Sequence, residues 1–180
     1  MTRIEIPTLT TPRLILRALR AEDLDAFAAM SANPEVMRYL GTGQTRTRAE
    51  TWDLMARMLG KWALRGYGVF AIVEAATGRF IGRSGILHPL TWTEPELAYG
   101  LDQPYWGKGY ATESTIALRH WAFATLGVAR IASYIRPDNA ASAALLRRMG
   151  AVRTGMIMLL GQEAERWEHR ADGTAPRTGA

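Results

Sequence analysis

Cysteine is absent from this 180-residue sequence, and histidine is rare. Without cysteine the chain can form no disulfide, offer no thiolate to a metal and use no cysteine nucleophile. The three histidines, His88, His120 and His169, do not have the spacing of a zinc site. The sequence therefore predicts a protein that needs no metal.

Long hydrophobic runs are missing as well. No apolar stretch reaches the length of about 18 residues that a membrane-spanning helix needs, and residues 1–7 lack the apolar segment of a signal peptide. We therefore expect a cytoplasmic protein that does not contact a membrane. At 180 residues, of which 48% are hydrophobic, the chain is expected to form one domain over residues 1–170. Residues 171–180 are small, polar and rich in proline and glycine, which predicts a disordered tail.

Lysine is scarce among the basic residues, since 20 arginines accompany 2 lysines and the net charge is +5. A basic balance favours anionic partners such as a phosphorylated cofactor or nucleic acid. The arginines are scattered, however, and no aromatic residues alternate with them as in RNA-binding motifs. Only the net charge would favour a nucleic-acid partner, and we do not expect one.

Hydrophobic periodicity predicts strands that are adjacent early in the chain and separated by helices later. Strands are predicted over residues 13–19, 69–74, 80–87, 96–101, 131–135, 152–160 and 165–169. Helices are predicted over residues 22–33, 47–66, 111–126 and 143–149. This order indicates an α/β fold of the α+β kind, in which a central mixed sheet of six to seven strands carries about four helices on both faces.

The second predicted helix has two further signals. Thr47 and Glu50 have the spacing of a capping box, which marks its beginning. One face of the helix is apolar, and we expect its tryptophans in the core. That face consists of Trp52, Met55, Leu59 and Trp62.

A glycine-rich turn, Gly107-Lys108-Gly109, joins the strand at 96–101 to the helix at 111–126. Glycines let a backbone approach an anion closely, and the first N–H groups and the dipole of the following helix attract it. Lys108 adds a full positive charge. The pattern favours a diphosphate on the N–H groups of residues 107–112, although two glycines equally suit a simple turn that needs positive φ.

A second polar turn, from Pro137 to Ser142, follows the strand at 131–135 and leads into a short helix that ends at Met149-Gly150. Together with the run from Tyr105 to Glu113, this segment resembles the GNAT superfamily of N-acetyltransferases. The residues of the two motifs are similar to those of the Rim-type branch, which includes ribosomal-protein N-terminal acetyltransferases. The resemblance covers residues 11–168 and implies a GNAT-like acyl-CoA N-acyltransferase fold in a single acetyltransferase domain. It also implies acetyl-CoA as cosubstrate.

In that family the two central parallel strands splay apart and the thioester lies in the gap between them. The resemblance implies that the strands at 96–101 and 130–135 have this role here. Pantetheine resembles a short peptide, so its amides could pair with the free edge of the first of these strands. The residues expected to bind the cofactor are Tyr99, Gly100, Leu101, Trp106, Gly107, Lys108, Gly109, Tyr110, Ala111, Thr112, Asn139 and Ser142.

Four positions of the two motifs have particular consequences. Pro104 stands where the family usually has glutamine or arginine, and proline removes one N–H donor at the loop entrance. Leu146 stands where many members have a tyrosine that protonates the leaving thiolate. The Rim-type branch has a serine instead, which implies that Ser142 donates a hydrogen bond to the CoA sulfur. Alternatively, Ser142 only satisfies a backbone group in the first helical turn. Asn139 would bind pantetheine or a nearby backbone group, or act as the helix N-cap.

The acceptor amine must lose a proton before or during attack, because an ammonium has no lone pair. Glu96 matches a family glutamate and could accept that proton directly or through water. It could also be a surface carboxylate at a strand edge, or bind the acceptor's charge. His88 is a rival base because imidazole titrates near neutral pH, although a lone histidine before a proline is more often structural. Trp92, in a proline-flanked loop, and His88 are the candidate substrate-binding residues.

We therefore expect an acetyl-CoA-dependent N-acetyltransferase that acts on a primary amine by direct attack in a ternary complex. The acceptor is either a protein N-terminus or a small amine. The alternative is a CoA-binding regulatory module without turnover, which the replacement of tyrosine by Leu146 would favour.

Overall fold

Eight strands form one mixed sheet in the computed structural model, which describes residues 5–171. The strands are β1 (Leu9–Thr10), β2 (Leu14–Arg17), β3 (Val69–Glu74), β4 (Phe80–Leu87), β5 (Glu96–Leu101), β6 (Arg130–Ile135), β7 (Val152–Leu159) and β8 (Gln162–Arg170). The helices are α1 (Leu24–Ala32), α2 (Pro34–Met37), α3 (Arg48–Arg65), α4 (Tyr110–Leu126) and α5 (Ala140–Arg148). Apart from residue 171, the tail expected at 171–180 lies outside the described residues.

The strand order is β1-β2-β3-β4-β5-β6-β8-β7, and all neighbours are antiparallel except β5 and β6. The mixed α/β fold is thus confirmed, and β3 and β4 form an antiparallel hairpin. The sheet has more strands than the six to seven expected. Strand β1 has only two residues, too few for a periodic pattern. Strand β8 is nine residues long because it pairs with β6 and β7 on both sides, although charged residues interrupt its apolar pattern.

Helix α3 begins and ends as its sequence predicts. The Thr47 side chain accepts a hydrogen bond from the Glu50 N–H, and the Glu50 side chain accepts one from the Thr47 N–H. Gly66 ends the helix in the left-handed region, at φ 72°. Trp62 is buried against the ring of Phe70, with centroids 4.8 Å apart. The expectation of a buried Trp52 is wrong: it is 48% exposed, because it lies at the edge of the apolar stripe, roughly 80° around the helix from Trp62.

Helices cover both faces of the sheet, as expected. Side chains of α1, α2 and α3 pack on one face against β3. Helix α4 packs on the other face against β2, β3, β4 and β5, and α5 forms a smaller core with β8. No helix within residues 5–171 combines the length and apolar character needed to cross a bilayer.

The parallel strands β5 and β6 pair at one register position, Glu96 opposite Ala132, and then diverge. Beyond that pair a side chain joins the two strands: the Ser133 hydroxyl donates to the Leu97 carbonyl oxygen at 2.7 Å. Because backbone groups alternate in direction along a strand, the N–H and C=O of Tyr99 face the same gap as the Leu97 carbonyl. The divergence therefore leaves polar backbone of β5 free at the edge of a cleft.

Candidate active site

A cavity of about 860 Å³ opens where β5 ends, between the glycine turn and helix α5. Its walls come from α2 and the residues after it, from the second half of β5, from the segment around the glycine turn, and from α5. The lining residues are Glu35, Val36, Tyr39, Leu40, Tyr99, Gly100, Leu101, Tyr105, Trp106, Gly107, Gly109, Tyr110, Ala111, Thr112, Glu113, Asn139, Ala141, Ser142, Ala144, Leu145 and Arg148. This set contains every residue predicted to bind the cofactor except Lys108.

The glycine turn has the backbone geometry of an anion-binding loop. Gly107 and Gly109 have φ values of 72° and 81°, in the left-handed region that L side chains rarely adopt. Gly109 is the N-cap of α4, so the N–H groups of Tyr110, Ala111 and Thr112 begin the helix without a partner inside it. These donors and the positive end of the helix dipole lie at the cavity wall.

An ion pair that the sequence did not reveal braces this turn. The Glu113 carboxylate accepts hydrogen bonds from the Thr11 hydroxyl at 2.6 Å and from the Arg13 side chain at 2.7 Å. The Arg13 guanidinium also donates to the Lys108 carbonyl oxygen at 2.9 Å and stacks over the Tyr110 ring. Because Arg13 is about a hundred residues away in the sequence, no local motif connects it to the loop.

The Lys108 side chain is placed differently from the expectation. Its ammonium nitrogen lies over the Tyr105 ring, 5.5 Å from the centroid, and the side chain is not part of the cavity wall. The positive side chain at the cavity is instead Arg148, at the end of α5. Arg148 lies within the second motif segment, between Ser142 and Met149, but no part of the sequence pattern singled it out.

Asn139 and Ser142 lie together at the beginning of α5. The Asn139 side-chain oxygen accepts a hydrogen bond from the Ser142 N–H at 3.2 Å, so Asn139 is an N-cap, and both residues also line the cavity. Leu146, which replaces the family tyrosine, is fully buried in the small core between α5 and β8. Its position therefore serves packing.

The Tyr99 side chain reaches this end of the cavity from β5. Its ring packs against α4 and α5 residues, and its hydroxyl oxygen is shielded from solvent with no hydrogen-bond partner within residues 5–171. Burial raises the pKa of the Tyr99 hydroxyl, while the nearby Ser142 side chain and the Arg148 charge oppose the rise. The phenol is therefore protonated at neutral pH.

Glu96 is buried at the beginning of β5, with 8% of its surface exposed, which excludes a surface carboxylate. Burial raises the pKa of Glu96 to about 7, and the Tyr134 backbone N–H and the Arg83 guanidinium oppose the rise. A carboxyl group with this pKa can exchange protons near neutral pH. Glu96 does not line the main cavity, and it lies roughly 10 Å along the strand from Tyr99. Transfer from an amine in the cavity would thus need intervening water.

His88 and Trp92 form a separate polar cluster. The His88 ring bonds through Nδ1 to the Tyr67 hydroxyl, at 3.3 Å, and through Nε2 to the Trp92 carbonyl oxygen, at 3.1 Å. The Trp92 ring packs edge-on against Tyr134, with centroids 5.5 Å apart. Neither residue lines the cavity, so the structure does not bring these two candidates to the cofactor-binding residues.

Comparisons relate this chain to known proteins. A family model described as "Acetyltransferase (GNAT) domain" matches residues 13–152. The chain is 30% identical over 152 residues to an uncharacterized N-acetyltransferase, p20, of Bacillus licheniformis, with 83% of this chain and 85% of that protein covered. A crystal structure of an acetyltransferase from Agrobacterium tumefaciens str. C58 is 33% identical, with a TM-score of 0.78 and coverage of 94% and 98%. A structure of RimL, a ribosomal L7/L12 alpha-N-protein acetyltransferase, in complex with coenzyme A shares the fold at 21% identity, with a TM-score of 0.76 and coverage of 93% and 100%.

Proposed function

The chain belongs to the GNAT family of N-acetyltransferases, and we propose that it transfers an acetyl group from acetyl-CoA to a primary amine. One observation carries the proposal. A glycine turn with free helical N–H groups, an unpaired strand edge and the beginning of α5 line the same cavity. These are the surfaces that a diphosphate, a pantetheine chain and a thioester would each need.

The cofactor would lie along these surfaces in order. The diphosphate would accept hydrogen bonds from the N–H groups of residues 107–112, which the Arg13–Glu113 pair holds in place. The pantetheine amides would pair with the free backbone of Tyr99 and with the N–H of Leu101, whose carbonyl oxygen accepts a hydrogen bond from the Trp106 indole at 2.8 Å. The structure of RimL with coenzyme A supports this assignment at the level of the fold.

The chemistry would be a direct attack in a ternary complex. The neutral amine attacks the thioester carbonyl carbon, a C–N bond forms, and the C–S bond then breaks to release CoA as a thiolate. The amine proton passes through water to Glu96, whose pKa of about 7 suits a base at neutral pH. The Ser142 hydroxyl donates a hydrogen bond to the sulfur as negative charge develops on it.

For the acceptor we propose a protein N-terminus, as in the Rim-type branch, or a small amine. The name of RimL, an alpha-N-protein acetyltransferase, supports the first of these two acceptors. We also keep as proposals that residues 1–170 form one acetyltransferase domain and that it works in the cytoplasm. Only the replacement of tyrosine by Leu146 favours a CoA-binding module without turnover, and membership of an enzyme family does not favour it.

The test is a screen of small amines and of peptides with free N-termini against acetyl-CoA, following thiol release and confirming the acetylated product by mass spectrometry. The same peptides with blocked N-termini are the matched controls. Thiol release that depends on a free amine is the expected result. CoA binding in calorimetry with no turnover on any acceptor would favour the module, and no binding would overturn both proposals.

A further inference from the structure

We propose that the Tyr99 hydroxyl is a positioning group for Ser142: it donates a hydrogen bond to the serine oxygen and thereby directs the serine proton at the sulfur of CoA. This inference rests on the proposed function. The sequence assigned the stabilisation of the leaving sulfur to Ser142 on α5 alone, and the inference adds Tyr99 on strand β5.

The starting observation is the unsatisfied Tyr99 hydroxyl. Within residues 5–171 three buried side-chain polar atoms have no hydrogen-bond partner, on Ser31, Tyr99 and His169. Only Tyr99 belongs to the cavity wall. Buried hydroxyls without a partner are rare in folded proteins, and one at a binding site indicates a group that is satisfied in the liganded state.

The position of Ser142 supplies the partner. Ser142 lines the same cavity, and its side chain is close enough to Tyr99 to influence the pKa of the phenol. The two hydroxyls do not form a hydrogen bond of regular geometry here. Rotation of the Ser142 side chain about its Cα–Cβ bond moves the serine oxygen, so a small rearrangement on cofactor binding would complete the bond.

The direction of that bond follows from the chemistry of the two groups. A hydroxyl has one proton to donate and can accept in addition. If Tyr99 donates to the serine oxygen, the serine proton remains available for the sulfur. Burial keeps the phenol protonated, so it is a donor throughout the neutral range. In this arrangement the Tyr99 hydroxyl, which is shielded from solvent, acts on the thiolate through Ser142.

Tyr99→Phe is a clean test because it keeps the ring that packs against α4 and α5 and removes only the unsatisfied oxygen. We expect unchanged or higher thermal stability and unchanged acetyl-CoA affinity, with kcat lower by about ten- to a hundredfold, in the range of one lost hydrogen bond to developing charge. Ser142→Ala should lower kcat by about ten- to a thousandfold. The double variant should be no slower than Ser142→Ala alone, because the tyrosine acts through the serine.

A second measurement reports on the thiolate without turnover. The thiol of bound CoA is titrated by its ultraviolet absorbance, and its pKa should be higher in the Tyr99→Phe complex than in the wild-type complex. Ser31→Ala, which removes another buried hydroxyl without a partner but lies outside the cavity wall, is the matched control and should leave the thiol titration unchanged. Desulfo-CoA should bind wild type and Tyr99→Phe equally.

The outcomes separate the two levels of the proposal. Absence of CoA binding by the wild-type protein would overturn the proposed function and this inference together. Wild-type kcat and thiol titration in Tyr99→Phe would overturn only the role of Tyr99. A further loss of rate when Tyr99→Phe is added to Ser142→Ala would overturn positioning, because it would show that the phenol acts independently of the serine.

Discussion

The Ser133 hydroxyl donates a 2.7 Å hydrogen bond to the Leu97 carbonyl oxygen across the strands that diverge to form the cleft. The Ser133 hydroxyl oxygen also lies 3.0 Å from Nε2 of His169. Because the serine proton points to Leu97, the histidine must donate from Nε2 and leave Nδ1 unprotonated. A buried serine–histidine pair thus occupies the position where backbone pairing between β5 and β6 stops.

Ser133→Ala should therefore destabilise the protein by about 1–3 kcal/mol, because the Leu97 carbonyl and the His169 N–H both lose their buried partner. Chemical denaturation measures the change. Ser84→Ala is the matched control, since Ser84 is buried and donates to the Ala98 carbonyl on the regularly paired side of β5, at 3.2 Å. Its cost should be smaller, and equal costs for the two variants would contradict a special role at the divergence.

Replacing Gly107 and Gly109 together by alanine should weaken CoA binding at least tenfold, because side chains at these φ values distort the loop that presents its N–H groups. Isothermal calorimetry gives the affinity. Gly127→Ala at the other end of α4 has the same left-handed strain, at φ 62°, and no contact with the cavity. It should cost about 1 kcal/mol of stability and leave CoA affinity unchanged. Comparable loss of affinity in that control would indicate general strain.

The kcat of the wild-type enzyme should rise with pH through about 7, because Glu96 must be deprotonated to accept a proton. Glu96→Gln should lower kcat most at neutral pH, with partial recovery at higher pH where more of the amine is neutral. Exposed Glu163→Gln is the control for loss of one negative charge. A raised KM with an unchanged pH profile of kcat would assign Glu96 to binding the acceptor's charge.

Arg83→Met should move the same inflection of kcat to higher pH, because the guanidinium opposes the rise in the pKa of Glu96. The substitution retains most of the side chain's packing. The full pH–rate curve is needed, since kcat at high pH should approach that of the wild type. An inflection at the wild-type pH would mean that a different group titrates.

In the folded protein His169 should stay neutral at pH values well below its ordinary pKa. Burial is the main cause and the charge of Arg119 the second, and together they lower the pKa of His169 to about 4. A depressed histidine pKa means that the unfolded chain binds more protons between about pH 4 and 6.5. Its contribution to stability is complete above pH 6.5 and decreases as the pH falls toward 4. NMR of the imidazole measures the titration directly.

Glu96 imposes the opposite dependence on stability. Its folded pKa is raised, so its contribution is complete below pH 4.5 and is lost as the pH rises through 7. The unfolding free energy should therefore be compared in the Glu96→Gln background, which removes the Glu96 contribution. A His169 imidazole resonance that titrates at the ordinary histidine pH in the folded protein would contradict the lowered pKa of His169.

The sequence was sufficient wherever the signal is local. The capping box at Thr47 and the glycine turn each consist of a few adjacent residues, and the structure has both in their expected local form. Helix α5 begins at Ala140, three residues before its predicted start, because the Asn139 side chain caps it there. Arg13 and Tyr99 were different, because their roles depend on contacts across the sheet. The burial of Glu96 was not predicted either, since a carboxylate at the beginning of a strand is exposed in most sheets.

The single parallel pair in the sheet also has a consequence for the order of folding. Strands β1 to β5 pair with neighbours in sequence, whereas β6 reaches β5 only after the chain has passed through α4. Strand β8 must then enter between β6 and β7. Closing such long connections is slow compared with forming hairpins. We therefore expect the cleft to be completed late during synthesis, because a nascent chain ending before residue 162 lacks β8, the strand against which the α5 wall of the binding site packs.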